Sequence, residues 1–173
     1  ISSSLGQPVI VDPRGVSVAI SGDLVAKATP DGYTLLLVGN NLWISPLLQN
    51  LPYDPAKDFA PITLVAITPN IVVVHPSVPV KSIKELISLA KAKPGELNYA
   101  SSGSGTSSHL AGELFKSMAG VNIVRVPYKG GGPSLTALIS GEVQVWFPNA
   151  AAATPQLKLG KMRALAVTSQ QPT

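Results

Sequence analysis

Apolar runs and helix-like apolar patterns alternate along most of this chain. The runs predict strands at residues 9–11, 33–38, 62–67, 71–75, 97–100, 121–126, 143–147 and 164–168. Between strands, apolar residues recur at helical spacing, as Leu110, Leu114 and Met118 do, and this spacing predicts amphipathic helices. The alternation predicts an α/β fold with mostly parallel sheets.

The junction after the strand at 97–100 is rich in glycine and serine and leads directly into a predicted helix. Such a turn presents backbone N–H groups and small hydroxyls at the positive end of a helix dipole, which is where proteins hold a carboxylate or a phosphate. The alternative is that Thr106, Ser107 or Ser108 only caps the helix. The candidate ligand-binding residues are Ser101, Ser102, Gly103, Ser104, Gly105, Thr106, Ser107 and Ser108, with His109 at the edge.

A second junction repeats this pattern, and two further loops add polar candidates. Tyr128, Lys129 and Gly130 follow a predicted strand and precede a helix. Asn40-Asn41 and Asn149 follow two other strands, and ligands of open α/β sheets bind outside the carboxyl ends of strands. The alternative for Asn40 and Asn41 is a turn capped by asparagine side chains.

Composition narrows the function classes. The 13 Lys and Arg residues against 9 Asp and Glu give a charge of +4, but they are scattered, so we expect no nucleic-acid partner. With no cysteine and only two histidines, we expect no metal site and no cofactor. The apolar runs are far shorter than the roughly 20 residues of a membrane span, so we expect no direct membrane insertion.

The sequence offers few candidate residues for catalysis. A hydrolase would need Ser101, Ser102 or Ser104 with His109, yet the Gly-x-Ser-x-Gly pattern does not occur. At the start of a helix, the dipole disfavours the protonated imidazole that a general base must become. A nucleotide site is also disfavoured, because Gly103 and Gly105 lack a third glycine at Ser108. A receptor needs only converging donors, so we predict a non-enzymatic binding protein, and keep a hydrolase or a protein-interaction module without a small ligand as alternatives.

The glycine-serine junction and five other segments together resemble one family. The chain resembles the solute receptors of tripartite tricarboxylate transporters, the Bug or TctC-type proteins. The resemblance covers nearly all 173 residues. The segments that carry it are 31–36, 51–54, 58–61, 97–120, 126–131 and 163–169.

The resemblance implies a two-lobed periplasmic-binding-protein-like fold with the ligand in the cleft between the lobes. We expect residues 1–76 and 163–173 in the first lobe and residues 77–162 in the second. We also expect the first lobe to be incomplete in this sequence, without its opening strand and its C-terminal part.

For function, the resemblance implies periplasmic capture of a small organic acid and its delivery to membrane transporter subunits. The acid would be a dicarboxylate, a tricarboxylate, an acidic amino acid or an aromatic carboxylate. Residues 101–109 and 128–130 match the ligand loops of the family, and Asn40 and Asn41 match more loosely. The family commonly has Asp where Pro148 stands, so Asn149 lacks a neighbouring carboxylate.

Overall fold

The computed structural model describes residues 2–14 and 17–169. Secondary structure predicted from residue 71 onward is confirmed, with ends shifted by a few residues. None of the described helices is long and apolar enough to cross a membrane. The elements are α1 (Ser2–Leu5), α2 (Val18–Ala26), α3 (Asn41–Ile44), a 3-10 turn (Ser45–Leu47), β1 (Ile71–Val74), α4 (Ile83–Ala92), β2 (Asn98–Ser101), α5 (Ser107–Ala119), β3 (Val124–Pro127), α6 (Gly131–Ile139), β4 (Val145–Trp146), α7 (Ala150–Lys158) and β5 (Arg163–Val167).

The five strands form one sheet in the order β3-β2-β4-β1-β5. β2 runs parallel to β3 and to β4, whereas β1 runs antiparallel to β4 and to β5. The predicted α/β fold with a mostly parallel sheet is confirmed in strand direction, because β2, β3, β4 and β5 run the same way. β1 is the one reversed strand of these five, and both of its pairings are antiparallel because it ends at the edge of the sheet where β2 begins.

Two apolar layers cover the sheet, one on each face. Consecutive strand residues point to opposite faces, so Tyr99 packs in the layer beneath α4 and α5, while Ala100 packs in the layer beneath α6 and α7. Val73 and Val74 of β1 divide in the same way, and both are fully buried. The three inner strands, β1, β2 and β4, are thus buried on both faces, as continuous apolar runs predict, whereas the edge strands β3 and β5 are partly exposed.

Helix α5 lies unusually close to the sheet. A Cβ atom at Gly112 would come within 2.3 Å of the Tyr99 ring, so a glycine is required at this contact. The Tyr99 hydroxyl donates to Glu113 Oε1 at 2.6 Å, which fixes the helix on the strand. Burial, and then this carboxylate, raise the pKa of Tyr99, so the hydroxyl stays protonated as a donor.

The strands predicted at 9–11, 33–38 and 62–67 are wrong. These segments are irregular, and their apolar side chains are largely exposed, with Leu37 and Ile67 each 82% exposed. A strand forms by pairing, and within residues 2–14 and 17–169 no other strand pairs with these segments. The buried side chains in this part of the described chain form a small cluster of Val18, Leu42 and Tyr53. The Tyr53 hydroxyl donates to the Val18 carbonyl at 2.9 Å.

Candidate functional site

Three helices begin at the same edge of the sheet. β2, β3 and β4 are parallel, and α5, α6 and α7 follow them in the chain. Their N-termini therefore lie at the carboxyl edge of these strands, where open α/β sheets place ligands. The structure thus brings residues 101–109, 128–130 and Asn149 to one edge.

Thr106 is the N-cap of α5, so the capping role considered for this turn is real. Its Oγ1 accepts from the His109 N–H at 3.4 Å and donates to the Gly103 carbonyl at 2.8 Å. Gly103 and Gly105 have φ values of +118° and +74°, which only glycine adopts easily. The cap uses only the His109 N–H of the first turn. The N–H groups of Ser107 and Ser108 have no acceptor in the described part of the chain. Capping and anion binding are therefore compatible here.

Arg125 on β3 organises the serines of this turn, and sequence reasoning missed it. Its Nε donates to Ser101 Oγ at 2.8 Å and its Nη2 donates to Ser104 Oγ at 3.1 Å. Ser102 is placed differently, with its Oγ 3.3 Å from Ser134 Oγ on α6. The available signal was a guanidinium among the apolar residues Ile123, Val124 and Val126 of a predicted strand, because a charged residue in a sheet normally has a specific partner.

His109 is held as a neutral ring with a defined tautomer. The Gly105 N–H donates to His109 Nδ1 at 3.1 Å, so the ring hydrogen resides on Nε2. Burial, and then the charge of Arg125, lower the pKa of His109. Among the described residues, the hydroxyls of Ser101 and Ser104 bond to Arg125 and not to His109. The Ser-His pair that the hydrolase alternative requires is therefore not assembled.

The second junction is tied to the first. The Tyr128 N–H donates to the Ser101 carbonyl at 2.8 Å, and Gly130, with φ of +106°, is the N-cap of α6. The Tyr128 hydroxyl donates to Glu142 Oε1 at 2.8 Å, and burial, followed by this carboxylate, raises the pKa of Tyr128 to about 12. Lys129 between them is exposed.

The asparagines separate into two roles. Asn149 caps α7, because its Oδ1 accepts from the Ala152 N–H at 2.8 Å. Asn40 and Ser107 line one cavity of about 440 Å³ beside the start of α5, together with Asn70 and Thr168. Asn41 is the first residue of α3 and does not line this cavity.

A second cavity, of about 310 Å³, also borders the start of α5. One wall comes from residues 45–49 and the other from the turn, α5 and β3. We call it the Arg125 pocket, and it is lined by Ser45, Leu48, Gln49, Ser104, His109 and Arg125. Within residues 2–14 and 17–169, no group of three or more histidine and acidic side chains could hold a metal ion.

Comparison with known proteins places the chain in a family. Residues 1–173 match the family model described as "Tripartite tricarboxylate transporter family receptor" (TctC). A curated relative, Protein BugT of Bordetella pertussis, is 36% identical over 173 residues, which covers 98% of this chain and 53% of BugT. The chain spans about half the length of the curated relatives that it matches over most of its own length.

Two solved structures with ligands are similar to this chain. Rpa4515 of R. palustris, solved with adipate, is 41% identical with a TM-score of 0.94, and the match covers 98% of this chain and 58% of that one. MatC (Rpa3494) of Rhodopseudomonas palustris, solved with bound malate, is 30% identical with a TM-score of 0.85, and the match covers 98% of this chain and 59% of that one. The fold class is thus that of periplasmic solute-binding proteins, and the chain belongs to the tripartite tricarboxylate transporter receptor family, the TctC or Bug proteins.

Proposed function

We propose that the full-length protein containing these residues is a periplasmic receptor that binds a small organic carboxylate reversibly. The main support for the proposal is that three helix N-termini lie at one edge of the sheet. Within the described chain, the N–H groups of Ser107 and Ser108 have no hydrogen-bond acceptor. A carboxylate there would accept charge-assisted hydrogen bonds, each contributing about 1.5–3 kcal/mol. Binding by such donors requires no nucleophile and no base.

The substrate class that we propose first is the dicarboxylates. Two relatives of known structure were solved with adipate and with malate, and both molecules are dicarboxylates. Tricarboxylates, acidic amino acids and aromatic carboxylates remain candidates because they carry the same group. Delivery of the bound acid to membrane transporter subunits is part of the proposal, and membership of the receptor family supports it.

The residues at this edge of the sheet would contribute unequally to ligand binding. We propose that residues 101–108 contact the ligand mainly through backbone N–H groups, since Ser101 and Ser104 already bind Arg125. Asn40 would contribute from the opposite wall of its cavity. Lys129 would add a screened, long-range attraction. We assign a weaker role to Asn41.

Three further candidates, Tyr128, Gly130 and Asn149, would act through the backbone. Tyr128 already donates its hydroxyl to Glu142, and its N–H ties the second turn to Ser101. Asn149 already uses its side chain as a helix cap. For Gly130 and Asn149 we propose that the helices they cap, α6 and α7, turn their first N–H groups toward the ligand.

A thermal-shift screen of organic acids on the full-length protein tests the proposal. Adipate and malate come first, and the matched control for adipate is adipamide, which has the same shape without charge. A ligand at about 100 times its dissociation constant adds roughly 2.7 kcal/mol of stability. We expect stabilisation by an acid and much weaker stabilisation by its amide, whose NH₂ group would face other donors. Stabilisation by no acid would favour the interaction module, and steady conversion of an acid would favour the enzyme.

A further inference from the structure

We propose that the Arg125 pocket binds the second carboxylate of a dicarboxylate ligand, with Arg125 as the charged contact. The inference rests on the proposed function and deepens it, because it assigns a residue that selects dicarboxylates over monocarboxylates. The pocket lies beside the turn at 101–108 and shares Ser104 with it.

The charge of Arg125 has no acidic partner within the described chain. Both hydrogen bonds of its guanidinium go to neutral serine hydroxyls. The acid nearest along the facing helix, Glu113, is already bound by the Tyr99 hydroxyl at 2.6 Å and by Lys116 Nζ at 2.9 Å. A guanidinium has five N–H donors in a fixed fork that matches a carboxylate, so donors remain available for a ligand.

The guanidinium is also held in a fixed place. Arg125 lies on β3, directly opposite Tyr99 of β2, and its backbone is therefore part of the sheet and not of a loop. Its partner Ser101 is fully buried at the end of β2. A charged contact on a rigid strand loses little conformational freedom when a ligand binds, which favours affinity.

The other lining groups suit a carboxylate. Because His109 Nδ1 accepts from the Gly105 N–H, the ring has its hydrogen on Nε2. His109 lines the same pocket as Arg125, so this Nε2–H is a second possible donor to a carboxylate. Ser45 and Gln49 supply further polar groups from the opposite wall, and the lining contains no acidic side chain. The pocket is therefore electropositive, although its only charged group is Arg125.

Ser104 belongs both to the turn and to the Arg125 pocket, so the two sites are adjacent. One carboxylate would lie at the N–H groups that begin α5, and the other would lie at Arg125. A monocarboxylate would fill only the first of these. A free inorganic anion could in principle use the same donors, so the experiment includes phosphate.

Calorimetry on the full-length protein can separate these possibilities. Adipate is compared with hexanoate, which has the same number of carbons and one carboxylate fewer, in the unaltered protein and in Arg125→Gln and Arg125→Lys. The matched control is Arg14→Gln, because Arg14 is exposed and pairs with Asp12 outside both cavities. Phosphate is tested as a competitor.

We expect Arg125→Gln to weaken adipate binding by roughly tenfold to a hundredfold, the range that one lost charge-assisted contact produces. Hexanoate binding should change by less than about twofold, and its retention also shows that the variant is folded. Arg125→Lys should lie between the two proteins, because it keeps the charge but not the fork. Arg14→Gln should bind both acids as the unaltered protein does.

Several results would overturn the inference. An equal loss of adipate and hexanoate would mean that Arg125 only positions Ser101 and Ser104. Unchanged adipate binding in Arg125→Gln, or strong phosphate binding that Arg125→Gln removes without affecting adipate, would separate the pocket from the ligand. Failure of the unaltered protein to bind adipate, malate or any other carboxylate would instead contradict the proposed function as well.

Discussion

At the scale of single residues, His109 and Arg125 show how two neighbours set a charge state. Burial and the charge of Arg125 lower the pKa of His109, while Glu113 opposes them in part. We expect the ring to titrate below the ordinary value of about 6.5, and Arg125→Gln to move the pKa upward. Nuclear magnetic resonance titration of the ring measures both, with Arg14→Gln as control.

The sign of the pH effect follows from this direction. A histidine whose pKa is lower in the folded protein stabilises the fold at pH values above about 6.5, and that contribution is lost as the pH falls from there toward the folded pKa. A ring that titrates at the ordinary value, or a pKa that Arg125→Gln leaves unchanged, would contradict the assigned electrostatics.

Gly112 offers a second test at this scale. Any side chain there would overlap the Tyr99 ring, because a Cβ atom would lie 2.3 Å from it. We expect Gly112→Ala to lower the free energy of unfolding by roughly 1–3 kcal/mol, which is typical of overpacking. The matched control is Gly132→Ala on α6, where no atom lies within 4 Å of the new Cβ and no loss is expected. Urea denaturation of both variants gives the comparison, and equal stability would show that α5 can move away from the sheet.

At the scale of elements, local signals predicted some structures well and others not at all. Ser82 and Glu85 stand three residues apart in front of the apolar pattern of α4, a local signal for a helix start. In the structure Ser82 Oγ accepts from the Glu85 N–H at 3.2 Å, and Glu85 Oε2 accepts from the Lys81 N–H at 2.6 Å. The N-cap at Thr106 and the glycine end of α5 at Gly120 are equally local. The segment at 33–38 carries a strong strand pattern and still forms no strand, because a strand depends on a partner that its own residues cannot specify.

The candidate site divides in the same way. The sequence predicted the turns, because glycine and serine at a strand-to-helix junction have a local meaning. It did not predict Arg125, because the bonds to Ser101 and Ser104 join residues more than twenty positions apart. The sequence interpretation gave Asn149 only a ligand-binding role and missed that its side chain caps α7.

The turn at 101–108 can be tested with two glycines that both have a positive φ. Gly103 has φ of +118° and Gly160 has φ of +66°, and an added Cβ would meet no atom closer than 3.7 Å at either position. Alanine at Gly160, which is in the left-handed helical region, should cost about 1–2 kcal/mol of stability, and alanine at Gly103 should cost more because φ of +118° is less accessible to it. Only Gly103→Ala should also weaken carboxylate binding, because Gly160 lies at the far end of α7. Calorimetry with adipate measures the difference, and equal binding by both variants would place the ligand elsewhere.

At the scale of the whole molecule, the chain divides into a part with a complete sheet and a part with little internal support. All strands of the sheet and both of its apolar layers lie within residues 71–167. Residues 2–14 and 17–67, as far as the structure describes them, contribute one small cluster and several exposed apolar segments. The two parts meet where Leu48 and Ser45 approach Gly105, at 3.3 and 3.4 Å from a Cβ atom built there.

We therefore expect residues 68–169 to fold without the rest of the chain. The fragment keeps the bonds that close its ends, including the Ala150 N–H to the Pro69 carbonyl at 3.3 Å and the Thr168 N–H to the Asn70 carbonyl at 2.9 Å. Since it keeps both apolar layers, thermal unfolding followed by circular dichroism should be cooperative, and the amide spectrum should be well dispersed. Residues 1–67 are the matched control and should show neither property, because the cluster around Tyr53 buries too little apolar surface to offset the loss of conformational entropy. Gradual melting of 68–169 would mean that the stability of the sheet depends on the contact between Leu48 and the turn at Gly105. Cooperative melting of 1–67 would mean that the cluster around Tyr53 is a sufficient core by itself.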